Sequence, residues 1–253
     1  MNQEPRAIFK YPVATTLLTI VLLYTVFTEL MLTGFYPLPK PSVLYTSFCD
    51  VYNNYPLKEG FLDTFLLTTV ALTFVYLFYK IFGLWLSYIY IHLPAIKHLS
   101  NFYKYIPIVF FAGLFIILFD YNYYGEFLFL VMFLIVQLGG VLIKSIENMQ
   151  QGYFEAYKSL NMDQNLFVKK VLWKGSLVEI KKSLPKVYHK LILVAIGYEY
   201  LGLSVGMGKI IKLLIDLQDY YGLFSVMIVM GIYMFVIDRL LDFYSYRTRF
   251  WEL

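Results

Sequence analysis

Residues 61–93 read as one nearly unbroken apolar run, and a run of that length belongs in a membrane. At 1.5 Å of rise per residue, a helix over it exceeds the roughly 30 Å of hydrocarbon in a bilayer. Two readings stay open: a tilted helix that projects past the membrane, or a helix that breaks near Gly83. Lys80 lies inside the run and is expected to face protein or to snorkel, its stem buried and its ammonium in a wetter zone.

Five further apolar runs follow the same logic, over residues 12–33, 105–119, 127–146, 187–203 and 223–241. The first lacks a small-residue cleavage site after it and is followed by Pro37, Pro39 and Pro41, so it reads as a retained span and not as a signal peptide. Glu29, near its far end, is expected to reach the interface. A short amphipathic helix is expected over residues 42–52, in the outer segment. The composition agrees: 60% of the 253 residues are hydrophobic, 20% aromatic and 15% charged, against about 25% charged in a soluble domain. The expected class is all-α and polytopic, a single transmembrane domain over residues 1–253 with about six helices.

An even number of spans puts both termini on one side, and basic residues decide which. Of the 21 Lys and Arg, Lys40, Lys58, Lys209 and Lys212 fall outside on this topology, Lys80 falls in a span, and the remaining 16 fall inside. Both termini and the long polar stretch 147–185 are therefore expected in the cytoplasm of a cell with a bacterial-type inner or plasma membrane. The net charge of +4 carries less information than this placement. One cysteine, Cys49, excludes an internal disulfide.

The stretch 147–185 is expected to form a helix-turn-helix hairpin. Tyr153, Phe154, Tyr157 and Leu160 fall at helical spacing, Asn161 suits a helix end, and Asp163 suits the N-cap of the next helix, which Leu166, Phe167 and Val171 continue. On these residues the chain resembles the cytoplasmic coupling loop of ABC importer permeases, E-A-A, three residues, G, nine residues, I-x-L-P. Glu155, Ala156 and Val171 match; Tyr157, Asn161 and Lys174 stand where the family has alanine, glycine and proline. The segment from Glu199 to Gly202, followed by Val205-Gly206-Met207-Gly208-Lys209-Ile210-Ile211, is similar to the A-E-x-x-G and S-G-L-G-Y-L-I signature of the nitrate, sulfonate and taurine type permeases. Leu38-Pro39-Lys40-Pro41-Ser42-Val43-Leu44 and the stretch from Phe102 to Pro107 resemble two more family segments, in the family's order.

The resemblance implies a type I ABC importer permease fold and a permease subunit that pairs with a second permease, identical or not. It implies cytoplasmic ATPase subunits carrying ATP and Mg, and an external solute-binding protein. Glu155, Ala156, Tyr157, Leu160, Asn161, Asp163, Phe167, Val171 and Trp173 would then couple to the ATPase. Glu199, Gly202, Gly206, Met207 and Gly208 would line or gate the pathway. The solute would be small: nitrate, a sulfonate, taurine, bicarbonate or a vitamin precursor. Hardly any cation lies within the spans, so selectivity is expected mostly in the binding protein.

No cofactor, metal or nucleic acid is expected on this chain, and no enzymatic activity. The segment Gly206-Met207-Gly208-Lys209 lacks the spacing of a phosphate loop. Asp238 and Asp242 share a helix face and evoke a metal-dependent membrane enzyme, but beside Arg239, Arg247 and Arg249 they read as anchors of a helix end. His92 and His98 do not share ligand spacing. The abundant aromatics, 25 Tyr and 23 Phe, fit interfacial belts and packing. The alternative is a permease-fold membrane protein with a structural or regulatory role.

Overall fold

The computed structural model describes residues 10–31, 39–93, 106–119, 122–159, 163–202 and 205–249. Among these residues the backbone is helical throughout its regular elements and no strand occurs. Three helices are long and apolar enough to cross a membrane, or four if one bent pair counts as a single span. This is a membrane-embedded helical protein. Its described backbone divides into two compact units, residues 1–55 with 214–230, and residues 56–213 with 231–253.

The first unit begins with α1 (Lys10–Val26), which runs on into a π-helical turn, Phe27–Met31. A second helix, α2 (Pro41–Asn54), realises the expected amphipathic segment with Pro at its first position, where the missing N–H costs nothing. Glu29 finds a specific role here. Its Oε1 accepts the Ser42 N–H at 2.9 Å, so a carboxylate from the π-helical turn after α1 supports the first turn of α2. The Tyr24 hydroxyl donates to the Pro39 carbonyl at 2.6 Å and ties down the same corner. From the last helix, α8 (Tyr220–Arg249), Ser225 lies 3.0 Å from the Leu44 carbonyl, while Asp219 caps that helix through the Gly222 N–H.

In the second unit, α3 (Leu57–His92) is one continuous helix of 36 residues, so the reading with a break near Gly83 is set aside. Its buried face repeats every three or four residues: Gly60, Thr64, Thr68, Ala71, Val75, Tyr79, Gly83 and Ser87. Small residues on that stripe let neighbouring helices approach closely. Helix α4 (Ile108–Phe119) has only 12 residues, short of a bilayer crossing by itself. The apolar stretch Leu18–Glu29 is likewise shorter than the three spans.

Helix α5 (Tyr123–Ser159) is also continuous and carries its span, Tyr123–Met149, on into the polar region. Residues 160–162 lie outside the described set, and the chain then forms α6 (164–202). That helix is built from Gln164–Phe167, a π-helical stretch Val168–Trp173, and Lys174–Gly202 with the buried Pro185 inside it. The stretch 147–185 is therefore no pair of short separate helices. The polar segments prolong two membrane helices that pack along each other. Asp163 does stand at the expected N-cap, its carbonyl accepting the Phe167 N–H at 3.0 Å.

The polar end of this helix pair is braced by α3. The Tyr90 hydroxyl donates to Glu147 at 2.8 Å and the Tyr88 hydroxyl to the Asn165 carbonyl at 3.2 Å. The Trp173 ring lies against Gly83, so close that a Cβ there would sit 2.1 Å from a ring carbon. Gly83 is therefore a seat for an indole and not a hinge.

That fit is testable by melting the purified protein in detergent. Gly83→Val is expected to destabilise by about 1–3 kcal/mol, the usual cost of overpacking. Combined with Trp173→Ala, the valine should cost clearly less than it does alone, because the two sites share one contact. Additive losses would show that the indole is not seated there.

Candidate functional site

Helix α6 ends at Gly202 and α7 (Met207–Asp216) begins after a short break, at an angle of 54° to it. In hydrocarbon a broken helix leaves amides without partners, each costing several kcal/mol, unless the protein supplies acceptors. Here a side chain from the last turn of α6 supplies one. Glu199 is buried, with 1% of its surface exposed, and its Oε2 accepts the Gly208 N–H at 2.7 Å.

The neighbouring amide is served from α3. Thr64 Oγ1 accepts the Met207 N–H at 3.0 Å, and it lies 2.6 Å from Glu199 Oε1 and 3.0 Å from the Gly60 carbonyl. Two of the free N–H groups that open α7 are thus capped by a carboxyl and a hydroxyl from different helices. The positive end of the α7 dipole points at the carboxyl as well.

The glycines around the knot are dictated by this approach. A Cβ on Gly206 would fall 2.2 Å from the Glu199 carboxyl carbon, and its φ of +155° is one that side chains rarely allow. A Cβ on Gly208 would fall 2.3 Å from the Ile196 carbonyl oxygen, and one on Gly60 would meet Ile210 at 2.7 Å and the Gly206 carbonyl at 3.1 Å.

Of the residues assigned to a pathway or gate, Glu199, Gly206, Met207 and Gly208 thus come together in one spot, and Gly202 is buried at the end of α6. Tyr198 stacks on Phe129 with ring centroids 5.1 Å apart, and the Lys212 ammonium stands 5.8 Å over the Tyr200 ring. Sequence reading missed four participants. Thr64 and Gly60 sit on the small-residue stripe of α3, but Gly60 precedes the apolar run, so their four-residue spacing crosses its boundary. Glu126, in the short stretch between two apolar runs, is fully buried in the first turn of α5 and bears on Glu199, as does Asp63.

A second polar cluster lies along the same helices. The Tyr188 hydroxyl on α6 stands 3.0 Å from that of Tyr233 and 3.1 Å from Thr69, with Phe61 and Phe65 edge-on to the Tyr233 ring. Nearby, His189 Nε2 lies 3.6 Å from Asp238 Oδ1, which gives that aspartate a neighbour of its own.

The residues assigned to coupling separate into groups. Glu155, Ala156 and Tyr157 lie in the last turns of α5, with side chains outside the described residues, and Leu160 and Asn161 lie outside them altogether. Asp163 is exposed. Phe167 is buried, Val171 half-buried, and Trp173 is committed to Gly83, so these three face largely into the protein.

No protein-family model matches the sequence, and a comparison with curated protein sequences finds no match either.

The capping arrangement makes a sharp prediction. Glu199→Gln retains an oxygen for the Gly208 N–H and a donor for Thr64, whose own proton can turn to the Gly60 carbonyl; it should melt within about 1 kcal/mol of the parent. Glu199→Leu strands a buried amide and should lose about 1–3 kcal/mol, with faster amide exchange in the first turn of α7. Equal melting of the glutamine and leucine variants would refute the cap.

Proposed function

We propose that the chain is the permease subunit of an ABC importer, one of a pair surrounding a solute pathway. The observation that carries this reading is the broken span, α6 followed by α7, knotted by a buried carboxyl. Interrupted helices with polar groups at the break are a recurrent way to build a solute site inside a membrane. The permease-like segment from Glu199 to Gly208 falls on that break, a coincidence that a purely structural helix bend would not require.

The continuous α5 and α6 add a mechanical argument. A helix resists bending far better than a loop, so a push on the polar ends near residues 155–163 would travel along both helices toward the break. ATP binding in separate cytoplasmic subunits would supply that push, with hairpin-to-ATPase contacts that differ between the two nucleotide states. On this proposal the chain crosses the membrane about six times with both termini in the cytoplasm. An external binding protein would deliver a small solute, and the second permease would be a copy of this chain or a relative.

The test is mild-detergent purification of the tagged chain, with partners identified and weighed, repeated for Glu155→Arg and Ala156→Arg. A stoichiometric ATPase is expected with the parent chain, and its affinity should fall about 30-fold in each variant, the size of a central interface contact. If no ATPase accompanies the parent chain under several mild conditions, the importer reading fails and a structural role takes its place.

A further inference from the structure

Between α5 and α6 lie two cavities that share a wall. The first, about 680 Å³, is lined by Lys144, Ser145, Asn148, Glu179, Lys182 and Lys186, among others. The second, about 620 Å³, is mainly apolar, with Phe133, Val136, Gly140 and Leu193 in its walls and Gln137 and Lys190 as its added polar groups. Val141 and Lys144 line both.

The order of these cavities along the helices follows the membrane. In α5 no charged residue intervenes between Glu126 and Lys144, a rise of about 27 Å, close to the hydrocarbon thickness. Lys144 therefore marks the membrane boundary. Apart from the shared Val141 and Lys144, the apolar cavity uses α5 residues before it and the polar cavity residues after it. Helix α6 repeats the gradient in the opposite chain direction, from Glu179, Lys182 and Lys186 to Leu193 and Val194. One end of the combined space suits a charged head and the other an acyl chain.

Charge and hydrogen bonding select the head. Three lysines face one acid, and Glu179 is already engaged by Lys182. Lys144 and Lys186 have no ion pair among the described residues. Ser145, on the wall of the polar cavity and 95% buried, has a hydroxyl with no hydrogen-bond partner, a cost that a bound acceptor would relieve. The apolar end is open in the right place, since a Cβ on Gly140 would meet no atom within 4 Å.

We propose that this double cavity holds an anionic glycerophospholipid, its phosphate among Lys144, Lys182, Lys186 and Ser145 and one acyl chain along Gly140 and Leu193. Basic pockets between membrane helices at the cytoplasmic boundary suit such heads. The bound lipid would join α5 to α6 below their polar ends. This inference does not depend on the importer proposal, because neither an ATPase nor a solute enters it.

Native mass spectrometry of the purified chain in detergent, with added phosphatidylglycerol or phosphatidylcholine of the same acyl composition, is the test. Phosphatidylglycerol is expected to bind at least about tenfold more tightly. Lys144→Gln and Lys186→Gln should each weaken it about fivefold. Gly140→Phe, which fills open space and leaves every charge in place, should weaken both lipids. Circular dichroism and melting of each variant separate lost binding from lost folding. Equal binding of the two lipids, or unchanged binding in both lysine variants, overturns the proposal. So does glycerol 3-phosphate displacing the lipid at matched concentration while Gly140→Phe has no effect, since the site would then take a soluble phosphate and not a lipid.

Discussion

A helix can be broken in the dry interior of a protein only if the backbone groups exposed by the break find partners, and the second unit of this protein is arranged around one such break. The carboxyl of Glu199 and the hydroxyl of Thr64 take the two amides that open α7. To bring them there, α3 must lie against the start of α7, which requires Gly60. The chain must also fold back on itself at Gly206, and the backbone at Gly208 must reach the α6 carbonyls without a side chain. Three glycines, one threonine and one glutamate form a single geometric solution. Replacing any of them with a larger or apolar residue removes either space or an acceptor.

That solution also accounts for α3 being one continuous long helix. Its stripe of small and hydroxyl-bearing residues serves the knot near its start, through Gly60 and Thr64, and the Trp173 indole near its end, through Gly83. Between these lie the Tyr188 to Thr69 contact and the Tyr79 hydroxyl, which donates to the Ile135 carbonyl at 2.7 Å. A kink at Gly83 would misalign one end of the stripe with respect to the other. A single helix keeps the broken span and the polar extensions of α5 and α6 in register.

The helical class and the amphipathic α2 were legible in the sequence, because each rests on local pattern, whereas Glu199 and Gly206 to Gly208 stood out only through a family resemblance. The helix ends were not legible. Apolar periodicity marks where hydrocarbon stops, whereas a helix stops where its backbone bonds or its packing stop, and α5 runs on to Ser159, past its apolar span Tyr123–Met149. For that reason the polar stretch after residue 146 reads as a new element although the helix simply runs on. The burial of Glu126 was not legible for a related reason. An acid next to an apolar run looks like a loop residue, and only the approach of α6 from far along the chain makes it buried. The π-helical stretch at Val168–Trp173, which ends at the indole seated on Gly83, left no signal either.

The hydroxyl of Thr64 carries one proton and has two acceptors within reach, the Gly60 carbonyl and Glu199 Oε1. When the carboxyl is ionised, the proton turns to Oε1, and the Gly60 carbonyl is left to the i+4 amide of its own helix alone. When the carboxyl is protonated on Oε1, it donates to Thr64, which turns to Gly60. Both arrangements leave Oε2 free to accept from Gly208 and Thr64 free to accept from Met207, so the cap on α7 is complete in either. The break in the span is therefore held by geometry and not by one charge state. A proton can enter or leave the Glu199 site without unfastening the first turn of α7, which lets the same residue serve both as a structural cap and as a polar group beside the break.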